Sequence, residues 1–380
     1  MKYSIFIVIT IECVNALIFT NSNQTNFNVR EKRAVIHDGR LRWHQNCFRY
    51  YIKDKLNENY IFNAHQLIQK HTCLKFIRIF DKEKAHLLYM GGALYLTHLG
   101  KENETNHKII IDRDNMDAGK IARETLRALG IDYEHKRPDR DHFINVIQHN
   151  IPKIFFLLFC KEPVSEVTPL GLSYEYRSIM HFGTTELCKY RKTCIKSKSG
   201  SKLVDALMGN KMNLAFNDAK LVNLVYCSDI KYIRTSGCQN FGYPRTYSDR
   251  CICLRYFTGK KCQLTRSSYH YCNRVNVFYA STYLHKVTLL ARYNCYYYIK
   301  APEGKKIYLE LRFSYGSRYK RVCNVMEHIE VLHREDYSVT GSLICPQILP
   351  HIFVSESNII IIHTKYQSKS YNIQIHFKLM

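Results

Sequence analysis

The stretch that decides the fold is ARETLRALGIDYEHKRPDRD, which covers residues 122–141. Its first half belongs to a helical pattern that runs from about Ala118 to Leu129. Arg123 and Arg127 are four positions apart, so on a helix both side chains project from one face into one site. Guanidinium groups have five donors and no acceptor, and they stay charged at physiological pH. Neither arginine can therefore be a ligand to a metal cation.

The same stretch resembles the signature of the astacin family of secreted zinc metallopeptidases, which belong to the metzincins. That signature reads H-E-x-x-H-x-x-G-x-x-H-E followed by R-P-D-R-D. Glu124, Gly130, Glu134 and the whole run 137–141 stand in register with it. The resemblance implies a metzincin-like protease domain of the α+β class.

Further segments extend the resemblance along the chain. TCLKF at 72–76 looks like the family's T-C-I-R-F, and residues 34–43 look like its mature start, with a Trp at the tenth position. SIMHFG at 178–183 looks like the family's Met-turn, with Met180 as its structural methionine. These motifs occur in the family's order, which argues against a chance match.

The chain departs from the family at every position that should bind zinc. The resemblance implies that three His and the Tyr of the Met-turn are zinc ligands and that the Glu is the general base. This sequence has Arg123, Arg127 and Tyr133 at the His positions and Phe182 at the Tyr position, whereas Glu124 is retained. A tyrosine binds metal only as a phenolate, and a phenylalanine does not bind it at all.

Loss of the ligands removes the reaction's Lewis acid. Without zinc there is no bound water of lowered pKa for Glu124 to activate. We therefore predict that no metal cofactor is bound and that the chain is an inactive homologue, a pseudoenzyme acting as a binding or decoy protein. The alternative, which family membership alone would imply, is an active zinc metalloendopeptidase that hydrolyses extracellular proteins.

Two interpretations of the altered site are open. In the first, Arg123 or Arg127 forms an ion pair with Glu124 or Glu134 and fills the former cleft. In the second, the two arginines form the floor of a groove that accepts a carboxylate or sulfated ligand through bidentate hydrogen bonds.

The composition indicates an exported protein. The 380 residues include 56 Lys and Arg against 32 Asp and Glu, a formal charge of +24. Such basicity is typical of nucleic-acid binding, but fifteen cysteines in a chain with an export-like start indicate an oxidising compartment instead. No apolar run beyond that start approaches the roughly 18 residues of a membrane span. We predict secretion, no nucleic-acid partner, no membrane span, and extracellular proteins, peptides or acidic glycans as partners.

The N-terminal region carries two processing signals. Residues 1–16 fit a signal peptide, and the dibasic run 30–33 would end a propeptide of residues 17–33. Ala34 then becomes the mature N-terminus, and the resemblance implies that its ammonium is buried near Glu134. Asn103 begins a possible N-glycosylation sequon, which predicts a glycoprotein.

Three folded regions follow these segments. Residues 34–229 form the peptidase-like domain, and residues 230–264 look like a small, disulfide-rich EGF-like module. Residues 269–380 look like an all-β CUB sandwich. In that last region the alternating runs 307–313 and 371–377 predict half-buried antiparallel strands.

The resemblance also implies a disulfide framework. Cys73 and Cys227 map onto a long-range pair of the family's protease domain, and the two positions of a second pair hold Tyr95 and Asn115. The remaining pairs that we expect are Cys188–Cys194, Cys47–Cys160, Cys238–Cys251, Cys253–Cys262, Cys272–Cys295 and Cys323–Cys345.

The loop 188–202 is basic throughout. It carries no acidic residue and six cations, which are Lys189, Arg191, Lys192, Lys196, Lys198 and Lys202. The sequence leaves two interpretations of this loop open: a solvated loop, or a contact surface for an acidic partner.

Overall fold

The computed structural model describes residues 34–36, 42–102, 106–163, 167–169, 171–227, 237–245, 248–314, 326–367 and 370–380. The predicted signal peptide and propeptide, the sequon at Asn103 and the thiol of Cys323 lie outside these residues. The chain divides into two compact units. They are Met1–Gly200 with Met208–Cys227, and Ser201–Leu207 with Ser228–Met380. Within the described ranges, none of the helices combines the length and the apolar character that crossing a bilayer needs.

The first unit contains a five-stranded sheet and two strand pairs. The strands of this unit are β1 (Ala34–Ile36), β2 (Cys47–Ile52), β3 (Lys75–Arg78), β4 (Leu87–Gly92), β5 (Leu96–Thr97), β6 (His107–Asp112), β7 (Ile144–Val146), β8 (Val167–Pro169) and β9 (Ile195–Ser197). The large sheet has the order β3-β2-β4-β6-β5, whereas β1 pairs with β8 and β7 pairs with β9. Only β5 runs antiparallel to its neighbour in the large sheet.

The helices are α1 (Glu58–Gln69), α2 (Ala118–Ala128), α3 (Lys202–Asp205) and α4 (Phe216–Tyr226). Helix α1 buries one face, since Ile61, Ala64 and Ile68 recur at the spacing of a single helical face. Helices α1 and α2 pack against each other. A buried chain of hydrogen bonds joins α1 to β4 and β4 to α2: His65 Nε2 lies 2.9 Å from the Tyr89 hydroxyl, and that hydroxyl lies 2.9 Å from Thr125 Oγ1.

The second unit is mainly a β-sandwich. Its strands are β10 (Tyr243–Pro244), β11 (Cys251–Ile252), β12 (Phe257–Thr258), β13 (Leu264–Thr265), β14 (Val277–Tyr279), β15 (His285–Ala291), β16 (Tyr293–Lys300), β17 (Ile307–Phe313), β18 (Ile329–Leu332), β19 (Ser342–Ile344), β20 (His351–Val354), β21 (Ile359–Lys365) and β22 (Tyr371–Leu379). One sheet has the order β14-β16-β21-β18-β19 and the other β15-β22-β17-β20. Alternate residues of neighbouring strands, such as Leu309 and Ile375, are fully buried in the shared core.

The small hairpins β10–β11 and β12–β13 pack on this sandwich. The Tyr298 hydroxyl donates to the Tyr256 carbonyl oxygen at 2.5 Å, and the Tyr256 hydroxyl donates to Glu330 at 3.5 Å. The Phe257 ring lies 5.6 Å from that of Tyr337. A segment with little core of its own is therefore anchored by aromatic side chains of its neighbour.

Most of the expected disulfides are present. The bonds are Cys73–Cys227, Cys188–Cys194, Cys238–Cys251, Cys253–Cys262 and Cys272–Cys295. The predicted pair Cys47–Cys160 is wrong. Cys47 opens β2 as a free thiol, and Cys160 is engaged in another disulfide. Cys345 is also disulfide-bonded, but its predicted partner Cys323 is outside the described residues, so that pair stays a prediction.

Candidate functional site

Helix α2 supplies three of the site residues, and its two ends fix where they lie. Asp117 caps the N-terminus, where its side chain accepts the Lys120 amide hydrogen bond at 3.0 Å. At the C-terminus Gly130 has φ +85°, in the left-handed region that glycine tolerates. The Ile131 amide then bonds the Leu126 carbonyl at 3.0 Å. This turn brings the residues after Gly130 back alongside the helix.

Arg123 is buried and held by two acceptors. Its Nε donates to the Ile179 carbonyl oxygen at 2.8 Å, and its Nη1 donates to Glu186 Oε1 at 2.9 Å. Burial alone would raise the pKa of the Glu186 carboxyl, but Arg123 and Lys120 outweigh it and lower that pKa. Arg123 is thus one half of a buried ion pair that joins α2 to the chain after the turn at 178–182.

Arg127 forms a second ion pair one helical turn further on. Its Nη1 donates to Asp132 Oδ1, and its guanidinium carbon lies 4.2 Å from the centre of the Tyr133 ring. Lys136 Nζ is 3.3 Å from the other Asp132 oxygen. Burial opposes ionisation of Asp132, yet the two cations lower its pKa below the usual value.

Glu124 lies between the two arginines and bonds Tyr133. The Tyr133 hydroxyl lies 2.8 Å and 2.9 Å from the two carboxylate oxygens, and both side chains are buried. Burial raises the pKa of Glu124, although Arg127 and Arg123 oppose this rise. Burial, with the Glu124 charge, also raises the pKa of Tyr133. The carboxylate at the general-base position therefore already accepts a hydrogen bond from a neighbouring hydroxyl.

The turn at 178–182 closes the site from the other side. The Glu134 amide donates to the Met180 carbonyl at 3.0 Å, and the Ser178 hydroxyl donates to Asp218 of α4 at 2.6 Å. The Phe182 ring lies 4.6 Å from Tyr133. The Arg123 guanidinium carbon lies 5.3 Å from the same Phe182 ring. An apolar ring thus fills space between the two polar halves of the site.

These residues do not fit a zinc ion. At the four ligand positions of the family stand two guanidinium donors, a phenol whose raised pKa keeps it protonated, and a hydrocarbon ring. The nearby imidazoles are already engaged. His135 Nε2 lies 2.9 Å from the Leu158 carbonyl, and His181 Nε2 lies 2.6 Å from the Tyr174 hydroxyl. Across the described residues, no cluster of three His, Cys, Asp or Glu could hold a metal ion.

The structure brings together Glu124 and the four positions that the resemblance assigns to zinc ligands, but the ion-pair partners of the arginines differ from the expected ones. Among the hydrogen bonds and ion pairs of the described residues, those of Arg123 and Arg127 with a carboxylate go to Glu186 and Asp132. Glu134 instead accepts from Arg137 at 3.3 Å and from the Glu175 amide at 2.8 Å. Glu186 lies 63 positions from Arg123 and gave no signal in the sequence. Asp132, five positions after Arg127, could have been found from the helix-terminating glycine between them.

The expected pairing of Ala34 with Glu134 stays a prediction. Ala34 opens β1, where it lies opposite Pro169 of β8. The contacts described for Glu134 are with Arg137 and with the backbone of Glu175. An ammonium group at Ala34 requires removal of residues 1–33.

The positions of the family's second disulfide are joined in another way. The Tyr95 hydroxyl donates to the Asn115 carbonyl oxygen at 2.6 Å and accepts from the Asp117 amide at 2.7 Å. Asp117 caps α2, so this side chain ties the start of the site helix to the segment before β5. A hydrogen-bonded bridge now connects the two positions that a covalent bond connects in the family.

Fold and site together are those of a peptidase-type domain in which Arg123 and Arg127 each form an ion pair with a carboxylate. Residues 35–227 match the model of the peptidase family described as Astacin. The chain belongs to the astacin family.

Curated relatives agree with this assignment. The chain is 25% identical to zinc metalloproteinase nas-34 of Caenorhabditis elegans over 90% of its own length and 56% of that protein. It is 29% identical to zinc metalloproteinase dpy-31 of Haemonchus contortus over 72% of its own length and 52% of that protein. The chain thus spans about half the length of these curated relatives.

Among solved structures, the chain is similar to high choriolytic enzyme 1, a hatching-enzyme zinc protease from the medaka fish Oryzias latipes. Sequence identity is 20%, the TM-score is 0.42, and the match covers 54% of this chain and 98% of that one.

Proposed function

We propose that this chain is a secreted, catalytically inactive member of the astacin family that acts as an extracellular binding or decoy protein. One observation carries the proposal: each polar side chain in the former zinc pocket already has a partner within the chain. Arg123 is paired with Glu186, Arg127 with Asp132, and Tyr133 with Glu124. Among the described residues, Nη2 of Arg123 is buried without a hydrogen-bond partner, but as a donor it cannot bind a cation. A pocket paired in this way has neither ligands for a cation nor a free carboxylate to activate water.

The pairing also supports a structural role for the two arginines. Breaking a buried ion pair costs about 3–5 kcal/mol, because the remaining charge is left without a partner. Because replacing either arginine would carry this cost, both arginines stabilise the domain whether or not it is active. Of the two interpretations of the site, filling by ion pairs is favoured over an open anion-binding groove, since both guanidinium groups are buried and already bonded to carboxylates.

Secretion and an EGF-like identity for the hairpins β10–β13 are parts of the same proposal. The four cysteines of that segment form two closed loops, Cys238–Cys251 and Cys253–Cys262. Small disulfide-dense segments of this kind are typical of extracellular proteins. The partners would be extracellular proteins, peptides or acidic glycans that bind the chain without being cleaved.

The test is zinc content together with proteolysis. The full chain, expressed through a secretory pathway and processed there, should contain far less than one zinc per molecule by atomic emission spectrometry. It should also leave casein and gelatin uncut. The control is Glu124→Gln, which removes the carboxylate at the general-base position. Stoichiometric zinc with chelator-sensitive cleavage that Glu124→Gln abolishes would establish the enzyme alternative instead.

A further inference from the structure

Residues 188–198 form a surface segment of the first unit, here named the basic loop, and the bond Cys188–Cys194 closes its first part. Tyr190 and Arg191 at its tip have φ +51° and +55°, a left-handed conformation that is uncommon for bulky residues. The Cys188–Cys194 bond and a hydrogen bond of 2.7 Å from Asn150 Nδ2 to the Thr193 carbonyl hold the tip in place. A backbone constrained in this way displays its side chains in a fixed arrangement.

The cations of the basic loop have no acidic partner among the described residues. They are Lys189, Arg191, Lys192, Lys196 and Lys198. Lys189 donates to the His149 carbonyl at 2.9 Å, which is the backbone rather than a carboxylate. Elsewhere on the same unit, cations do pair, as in Lys84–Asp81 at 3.0 Å and Lys161–Asp141 at 2.7 Å. The loop therefore concentrates uncompensated positive charge.

The exposed cations extend along the loop. Lys196 of β9 and Lys198, which follows the strand, are exposed on either side of buried Ser197. Arg191 and Lys192 are exposed at the tip. The Tyr190 ring stands between Lys189 and Arg191 with 91% of its surface exposed. An exposed aromatic ring among several cations is suited to an anionic ligand that carries repeated charges and also offers stacking surfaces.

We propose that the basic loop binds a linear sulfated polysaccharide. Sulfates repeated along a chain match several cations on one loop, and the planar arginine fork can bind a sulfate through two hydrogen bonds. The Tyr190 ring offers a face on which a sugar ring stacks. A protein partner is disfavoured, because a protein interface needs an apolar centre and the loop exposes no large apolar side chain other than Tyr190. The inference rests on the extracellular location proposed above, since these polysaccharides are found outside cells.

The experiment measures binding of the full chain to a fully sulfated heparin octasaccharide by isothermal titration calorimetry between 0.05 M and 0.5 M NaCl. Removing three loop charges in R191Q/K192Q/K196Q should weaken binding about tenfold or more near physiological salt. The affinity of this variant should also depend less steeply on salt than that of the wild type. Tyr190→Ala should weaken binding about threefold or more at every salt concentration, because stacking is not screened.

The matched control is K53Q/K55Q/K82Q, which removes the same charge from exposed positions of the same unit. It should bind the octasaccharide within about twofold of the wild type. The proposal is overturned if the control loses as much affinity as the loop variant, if the wild type does not bind, or if a polyglutamate peptide of equal charge binds as tightly. Zinc content and proteolysis report on the former active site, so failure of the proposed function would be seen separately.

Discussion

At the scale of single residues, a guanidinium group in place of an imidazole changes which partner the buried side chain needs. A neutral imidazole at position 123 or 127 needs a metal or a hydrogen-bond partner, whereas a buried guanidinium needs a carboxylate. The structure supplies one for each arginine, Glu186 and Asp132. Tyr133 completes the set, because its hydroxyl bonds the one carboxylate that the family's chemistry would have used.

Glu186→Gln should destabilise the first unit by about 3 kcal/mol at pH 7, because it leaves Arg123 buried without its carboxylate. The folded-state pKa of Glu186 is below the ordinary value of 4.5. The stability that it contributes is therefore fully present above that value and is lost as the pH falls through the folded-state pKa. The difference between variant and wild type should shrink as the pH is lowered from 7 to 3.5.

Urea unfolding followed by the fluorescence of Trp43 measures this effect. Trp43 is the single tryptophan of the chain, and its indole donates to the Ala128 carbonyl at the end of α2 at 2.9 Å. It therefore reports on the unit that holds the site. The control is Glu83→Gln at an exposed position of the same unit. An unchanged midpoint for Glu186→Gln at pH 7 would show that the ion pair contributes no net stability.

At the scale of elements, the start of helix α2 is held by the side chain of Tyr95. The resemblance assigns this position to a disulfide cysteine. The Tyr95 hydroxyl bonds both the Asn115 carbonyl and the Asp117 amide, directly before α2. Tyr95→Phe should cost about 1–2 kcal/mol, since two backbone groups lose a partner. Denaturant unfolding monitored by Trp43 fluorescence would measure the loss.

Tyr60→Phe is the matched control, because this exposed tyrosine of α1 loses the same hydroxyl without a described hydrogen bond. Its midpoint should stay within about 0.5 kcal/mol of the wild type. Equal effects of the two substitutions would mean that the Tyr95 bridge does not anchor α2.

The elements themselves were largely predictable where the pattern was periodic. The predicted helix 118–129 corresponds to Ala118–Ala128, and the predicted strand 307–313 to Ile307–Phe313. Local periodicity determines both, so the sequence sufficed. The prediction of Cys47–Cys160 failed because neither spacing nor periodicity reports which distant thiols meet. For the same reason Glu186 was missed, whereas the site positions themselves were found because they lie in two short motifs, 122–141 and 178–183.

At the scale of the whole molecule, positive charge is distributed in two different ways. Inside the former active site the cations are buried and each faces a carboxylate, which makes them part of the fold. On the basic loop four of the five cations are exposed, Lys189 is half-buried, and all five lack acidic partners among the described residues. The net charge of +24 therefore includes cations with a structural role and cations available to a ligand. Their roles are separable by experiment, because salt screens the exposed set far more than the buried one.

The buried, paired cations of the former active site also predict how the molecule responds to zinc. A ligand that binds only the folded state at 100 times its dissociation constant stabilises by about 2.7 kcal/mol, which would raise the melting temperature of a unit of this size by roughly 5–10 °C. Because the former pocket presents guanidinium groups, neither added zinc nor a chelator should shift the melting curve reported by Trp43. H142Q/H149Q, which removes two exposed histidines, controls for adventitious surface binding. A zinc-dependent rise that persists in this variant would contradict the loss of the metal site.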